Sequence, residues 1–453
     1  MAFRGLIRSS IFRRQLHVIS RSSSNIRPAS PTPSKLKQYN IPLHDRMIPD
    51  FYIPMVFFYP VNSNHSSKAV PDNVSKSDLL KKSLSETLSK YYPFAGRLCS
   101  GSYVDCNDQG VHFVDAQIGC QLSEVLEKAP VKEEEEGLGH LFPPRTIWNQ
   151  LSDLYPGMIM HVQVNHFTCG GIAVAVSLCH RLGDALTFCS FLRYWASLSF
   201  NSGDHQKSLH LCPRFVYELL PPSYDSDSIP IVSYPDKNWT TKAVVFPNRK
   251  LAKLKAAVEN EDKVDGVLED QKYTRNELLT ALIYRCIVAS VARTNSGTHG
   301  GSALLRSVNV RPMLDPPLPE TSVGNFVIPN YILTSTESET KYRTLVGRMR
   351  EEKKQLNGIK SLEGHEVETK LNELSKKNYR FYAISSICNF PLYDVMDFGW
   401  GKPINATLVD TPLVDNITLM DTANDGIRAM IGLGEQDMKF FLSHKELLTY
   451  ASL

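Results

Sequence analysis

The sequence predicts a mixed α/β chain, α/β or α+β in class, folded as two domains of similar size. Three observations carry that prediction. The chain has 453 residues, more than one core of ordinary size accommodates. Strand-type and helix-type segments mix through both halves. Between the halves, residues 206–240 crowd Pro213, Pro221, Pro222, Pro230 and Pro235 into a polar stretch that reads as a crossover. The expected division is an N-terminal extension at 1–27, a first domain at 28–205, the crossover at 206–240 and a second domain at 241–453.

In chain order, residues 27–34 form a proline-fixed entry and residues 36–43 a strand-like arm. Residues 51–59 (FYIPMVFFY) are an apolar, aromatic run bounded by Pro60 and read as a buried strand. Residues 75–92 read as a helix, with Ser77 as N-cap and Leu80, Leu84, Leu88 and Tyr91 as its apolar stripe. Asn107-Asp108-Gln109-Gly110, between β-type residues, reads as a hairpin turn within 104–114. The charge run at 132–137 reads as a solvated loop. Residues 158–167 alternate as a strand, and 172–178 (IAVAVSL) form a second buried strand that ends on His180. Residues 185–198 read as a helix, so His180 to Asp184 occupies a strand-to-helix junction, where loops carry chemistry on a rigid base.

The second half restarts the pattern. A strand is expected at 242–246, a helix at 248–258, an acidic loop at 259–270 and a helix at 274–293 opened by a Thr274/Glu277 capping box. A strand at 302–310, a rigid Pro loop at 315–319 and a charged amphipathic helix at 341–356 follow. Strands at 383–388, 408–409, 417–420 and 427–431 then lead to a terminal helix from 435.

The hydrophobic fraction is 42% and the charged fraction 21%, both ordinary for a globular chain. The net charge of +3 owes its sign to Arg4, Arg8, Arg13, Arg14, Arg21 and Arg27, which meet no acid in the extension. That balance argues against a nucleic-acid partner. No apolar run reaches the roughly 18 residues of a membrane span. Nine scattered cysteines without a CxxC pair fit free thiols in a reducing compartment. The Arg- and Ser-rich extension, with Phe3, Leu6, Ile7 and Ile11 on one helical face, has the composition of a mitochondrial or plastid transit peptide. The competing reading is a cytoplasmic protein on which this stretch is a disordered arm, or follows from a start codon placed upstream of the working one. Either way, residues 1–27 are expected outside the fold.

Common cofactor and nucleophile signatures are absent. The chain has no GxGxxG after a strand, no phosphate loop, no HExxH, no paired CxxC and no GxSxG elbow. A metal site and a bound cofactor are therefore not expected. What remains is His180-Arg181-Leu182-Gly183-Asp184. Spacing alone favours a structural histidine near a helix start, with Asp184 as N-cap or first-turn acid. The competing reading is a general base, since imidazole titrates near neutrality. Asp397-Phe398-Gly399-Trp400-Gly401-Lys402-Pro403 is a tight loop, and Asn309-Val310-Arg311-Pro312 closes a strand.

These three segments, in this order and at this separation, resemble the plant acyl-CoA-dependent acyltransferases known as the BAHD family. HxxxD alone is weak, and DFGWGKP is much more specific. Tyr91 to Arg97 (YYPFAGR), Val104 to Gly110 (VDCNDQG), Cys169-Gly170-Gly171, Gly324-Asn325 and Leu419-Met420-Asp421 look like further signatures. The resemblance covers the whole body of the chain.

The resemblance implies two chloramphenicol-acetyltransferase-like domains with a channel between them, with no metal and no covalent acyl-enzyme. Acyl-CoA, most readily acetyl-CoA, would be a co-substrate rather than a bound cofactor. The acceptor would be a small-molecule alcohol, apolar in character (an alkaloid, terpenoid or aromatic alcohol), and the enzyme a monomer. His180 matches the family's base. Asp184 would pair with Arg311 and shape the site. Asp397 is the second catalytic candidate, since such families sometimes assign it a role, although a loop acid there would more naturally satisfy backbone N–H groups. Trp400 would line the channel. Two departures stand out. Tyr393-Asp394-Val395-Met396-Asp397 carries one more residue than close relatives have, and Met396 offers no hydroxyl to an oxyanion. The stretch at 385–389 also lacks the Trp and Arg of the SSWCR form. A non-catalytic ligand-binding relative is the main alternative, and a hydrolase a more distant one.

Overall fold

The computed structural model describes residues 16–46, 48, 51–61, 75–128, 138–146, 154–200, 205–216, 239–264, 272–294, 300–360, 362, 370, 373–409, 415–424 and 426–452. The charge run at 132–137 and most of the expected crossover lie outside them.

Strands of the first half are β1 (Val18–Ile26), β2 (Gln38–Asn40), β3 (Tyr52–Tyr59), β4 (Arg97–Cys99), β5 (Tyr103–Asp105), β6 (Val111–Ile118), β7 (Met160–Phe167) and β8 (Ile172–Cys179). After β9 (Arg214–Phe215), the second half supplies β10 (Trp239–Pro247), β11 (Ser302–Asn309), β12 (Ser322–Val323), β13 (Val327–Thr334), β14 (Arg380–Ser386), β15 (Asn405–Leu408), β16 (Asn416–Thr422) and β17 (Gly426–Gly434). Twelve of them build two six-stranded mixed sheets, in the orders β1-β6-β7-β8-β3-β15 and β10-β17-β16-β14-β11-β13, and the others form a three-stranded sheet, β2-β5-β4, and the pair β12-β9.

The apolar runs at 51–59 and 172–178 become β3 and β8, antiparallel neighbours inside the first sheet with every residue buried. Such strands need no alternation, because both faces are covered. Helices Lys76–Leu88 and Ala185–Phe200 cover one face and share its core with Tyr59, Trp195 and Phe398. Helices Asn248–Val264, Arg275–Thr294, Tyr342–Lys354 and Glu435–Leu442 build the second core. The expected Thr274/Glu277 box caps the second of these, with Thr274 N donating to Glu277 Oε2 at 2.9 Å and Glu277 N to Thr274 Oγ1 at 3.2 Å.

Four expectations need correction. Residues 18–26 are inside the fold: β1 pairs antiparallel with β6 along its length. Its Ser-rich residues are mostly exposed, so it belongs through backbone bonds that leave no apolar pattern in the sequence. The division at 28–205 and 241–453 is crossed by β15, which pairs with β3 and so adds a second-half strand to the first sheet. The 104–114 hairpin does not form: β5 pairs with β2 and β4, whereas β6 pairs with β1 and β7. Asp108 instead accepts from Thr32 and Lys37, fixing the entry segment. Finally, Ser75 rather than Ser77 caps the helix Lys76–Leu88; the Ser77 hydroxyl donates to Asp115.

Candidate active site

His180 begins a short 3-10 turn, His180–Leu182, at the buried end of β8. Backbone contacts on both sides hold it. Its N–H donates to Phe51 O at 2.9 Å, tying it to the start of β3. Its carbonyl accepts from Asn325 Nδ2 at 2.9 Å, from the other half of the chain. The Phe51 ring stands edge-on to the imidazole, with centroids 5.4 Å apart. Nδ1 is buried and makes no hydrogen bond, while the residue as a whole stays partly exposed. Burial lowers the imidazole pKa from its ordinary 6.5, against a smaller opposing pull from neighbours that include Asp184. The ring is therefore neutral near pH 7, the form that accepts a proton.

Gly183 lets the chain turn tightly, because a Cβ there would collide with the Thr187 side chain. Asp184 then caps the helix Ala185–Phe200, its Oδ1 accepting from Thr187 N at 2.9 Å. The same carboxylate makes a two-pronged bond with Arg311, Oδ2 to Nη1 at 2.7 Å and Oδ1 to Nη2 at 3.0 Å. Phe326 N adds a fourth donor at 3.0 Å. Burial pushes the Asp184 carboxyl up, but Arg311 and the N–H donors outweigh it and hold the pKa below the usual range.

Arg311 is almost wholly buried and equally saturated. It donates to Ser322 O at 2.9 Å, Gly324 O at 3.1 Å and Thr187 Oγ1 at 3.1 Å, and it lies 4.6 Å over the Phe326 ring. A buried pair so completely bonded fixes geometry; removing one partner would strand the other. The expected Asp184–Arg311 contact is thus present, and it joins β11's end to the His180 junction.

Asp397 and Trp400 lie elsewhere. Asp397 Oδ1 accepts from Gly399 N at 2.8 Å and Gly401 N at 2.9 Å, and both glycines take positive φ, 111° and 105°. The loop docks on Tyr59, whose hydroxyl donates to Met396 O at 2.8 Å, and on Ser199, whose hydroxyl donates to Phe398 O at 2.7 Å. Trp400 stacks on Phe398 and lies edge-on to Tyr59, with Lys76 5.7 Å over it. Tyr59 ends β3, whereas Phe51 and His180 meet at its start. The strand's eight residues put roughly 23 Å between those ends at about 3.3 Å each. The structure therefore does not bring Asp397 to His180, and Trp400 is packed into the core of the first half. The Asp397 carboxylate is spent on its own loop. The extra residue before it leaves Met396 buried, offering its carbonyl to Tyr59.

Three residues at the junction escaped the sequence reading: Asp45, Thr187 and Phe51. Asp45 and Thr187 have no local signal, because their partners lie 280 and 137 positions away. Phe51 opens a run already read as core. Among the described residues, one group brings three possible metal ligands together: Cys286, His444 and Glu446. It lies in the second core, where Glu446 already accepts from Tyr342 and faces Arg285, and where Cys286 Sγ and His444 Nδ1 are 3.4 Å apart. Among those residues no helix is long and apolar enough to cross a membrane.

Comparison with known proteins shows the family. Akuammiline synthase 1 of Alstonia scholaris is 37% identical, over 95% of this chain and 97% of its own. A 17,18-epoxy-17-hydroxycur-19-ene N-malonyltransferase of Strychnos nux-vomica is 34% identical, over 97% and 91%. Stemmadenine O-acetyltransferase of Catharanthus roseus is 30% identical, over 93% and 95%. The crystal structure of vinorine synthase superposes with a TM-score of 0.80 at 28% identity, over 97% of this chain and 99% of that one. The Transferase family model matches residues 16–448. The chain belongs to that family, the BAHD acyl-CoA-dependent acyltransferases, and is an enzyme of that class.

Proposed function

We propose that the enzyme moves an acyl group, acetyl by preference, from coenzyme A to a hydroxyl of an apolar plant specialised metabolite such as an alkaloid, terpenoid or aromatic alcohol, with His180 as general base. One observation carries the reading. His180 is fixed through its backbone at the end of a buried strand, the residue stays partly exposed, and its buried imidazole is neutral. The neutral ring takes the hydroxyl proton as the acceptor oxygen attacks the thioester carbonyl. The tetrahedral intermediate collapses, the carbon–sulfur bond breaks, and the imidazolium returns the proton to the leaving thiolate. A positioned base of this kind supplies roughly 10²–10⁴ in rate. Asp184 and Arg311 hold the junction and Asp397 holds its own loop; neither acid takes the proton. The two sheets with their helices act as the walls of a channel that admits the two substrates.

A single chain is the functional unit in this reading. We place it in the cytoplasm, which the nine free thiols favour; the basic segment ahead of residue 16 is the alternative route, to a mitochondrion or plastid. A reporter fused to residues 1–27 separates the two.

Stemmadenine O-acetyltransferase supports acetyl and a hydroxyl. The N-malonyltransferase relative favours a second reading, malonyl transfer to an amine. The test is to mix purified enzyme with acetyl-CoA or malonyl-CoA and a panel of apolar alcohols and amines, following CoA thiol release and product mass. Acetyl esters are expected. Malonamides alone would establish the second reading, and full turnover by His180→Ala would remove the base assignment.

A further inference from the structure

The segment Gly324-Asn325-Phe326 is the bridge by which the second half of the chain reaches His180. Five of its hydrogen bonds run to residues already described: Gly324 O accepts from Arg311, Thr187 and Asp184 N; Phe326 N donates to Asp184; and Asn325 Nδ2 donates to the His180 carbonyl. Further contacts come from a short helix of the first half, Leu43–Arg46. There Asp45 Oδ1 accepts from Asn325 N at 2.8 Å, and His44 Nε2 lies 3.1 Å from Val327 O. Asp45 is buried, and a Cβ on Gly324 would sit 3.2 Å from its Oδ2, so the carboxyl packs directly against the bridge.

We propose that Asp45 is a positioning residue for the transfer reaction: it fixes the backbone of Asn325, whose side-chain amide holds the His180 carbonyl and so sets where the imidazole stands. This rests on His180 being the base.

Without Asp45, the Asn325 N–H would be buried with no acceptor, and the bridge would shift to find one. A shift passed through Asn325 moves the turn that carries His180. Misplacement of a reacting group by about 1 Å costs on the order of 10²-fold in rate. The bond to Asn325 N needs only an acceptor oxygen, which Asp45 offers whether or not it is ionised. Burial pushes its carboxyl up to about 7, offset in part by the bonds from Asn325, with Asp184 and Arg311 the charged groups that face it. An amide of the same shape keeps the acceptor oxygen, so Asn should replace it where Ala cannot.

The experiment compares wild type, Asp45→Ala, Asp45→Asn, Asn325→Ala and His180→Ala with acetyl-CoA and the panel alcohol that wild type turns over fastest. For Asp45→Ala, kcat should fall about 10- to 100-fold while the KM for acetyl-CoA stays within about 2-fold. Asp45→Asn should recover most of the rate. Asn325→Ala should match Asp45→Ala, and the double variant should be no slower than either single one, since both act through one bond chain. A wild-type kcat in Asp45→Ala, or an Asp45→Asn as slow as Asp45→Ala, overturns the proposal. If Asp45→Ala does not fold, the pair Asp45→Asn and Asn325→Ala decides: equal rates overturn it. Undiminished kcat in His180→Ala removes the underlying base assignment instead. The rate of His180 carbethoxylation by diethyl pyrocarbonate, read by mass spectrometry, needs no turnover. It should rise several-fold in Asn325→Ala and stay at the wild-type value in Asp45→Asn; no rise in Asn325→Ala overturns the proposal.

Discussion

The junction at His180–Asp184 and the loop at Asp397–Gly401 are both short, glycine-containing segments with a conspicuous acid, and they stand at opposite ends of β3. Their acids are used differently. Asp184 binds outward: its four bonds go to a helix start, to an arginine 127 positions away and to the backbone of Phe326. Asp397 binds inward, to the N–H groups of Gly399 and Gly401. One acid joins distant parts of the chain around the His180 turn; the other folds five residues into a plug on the first core. The more distinctive sequence belongs to the plug. Distinctiveness there records a backbone shape only glycine permits, not closeness to the chemistry.

The sharpest way to break this contrast is Arg311→Ala. It strands Asp184 as a buried, unpaired carboxylate and should cost about 3–5 kcal/mol of stability, read as a lowered denaturant midpoint. A loss under about 1 kcal/mol would mean that the pair does not organise the junction.

Truncation tests the edge of the same sheet. A chain beginning at Leu16, with residues 1–15 removed, keeps β1 and serves as the reference. Removing 1–27 strips β1 from β6 and takes away the partly buried Leu16, Val18 and Ile26. That should cost roughly 2–4 kcal/mol, given about 1.5–3 kcal/mol for each fully buried side chain of this size. Equal stability of the two truncations would show that β1 does not support the fold. Any transit peptide in this chain should accordingly be cut before Leu16.

The third effect is smaller and lies in pH. Burial lowers the His180 pKa, so the folded enzyme binds its proton less readily than the unfolded chain does. The neutral base persists at and above pH 6.5 and is lost only as pH falls through the depressed value. A profile of kcat/KM should thus be flat from neutrality to about pH 8 and drop only below about 6.5. An acid limb centred above 6.5 would contradict the burial of the ring.

The legibility of the sequence follows the range of the interactions. Buried strands β3 and β8 were visible because nine and seven consecutive residues are apolar or aromatic with few exceptions. The helix Arg275–Thr294 announced itself through a capping box four residues long. The supposed hairpin at 104–114 failed because turn residues fix only a local bend, whereas each flanking strand found partners outside the segment. Strand β1 stayed hidden because an exposed edge strand pairs through backbone, which every sequence has. At the site, His180, Asp184 and Arg311 emerged from three segments read together. Asp45 did not, because a buried acid gripping a backbone N–H 280 positions away leaves no mark on its neighbours.

The division of labour between the two regions is tested most directly by kcat for His180→Ala and Asp397→Asn, assayed side by side with acetyl-CoA and the same alcohol. Asparagine keeps the oxygen that Gly399 and Gly401 require while removing the charge, so the loop is preserved. The account predicts a loss of about 10²–10⁴-fold for His180→Ala and a rate within about 3-fold of wild type for Asp397→Asn. A comparable loss in Asp397→Asn, or near-normal turnover in His180→Ala, would contradict it.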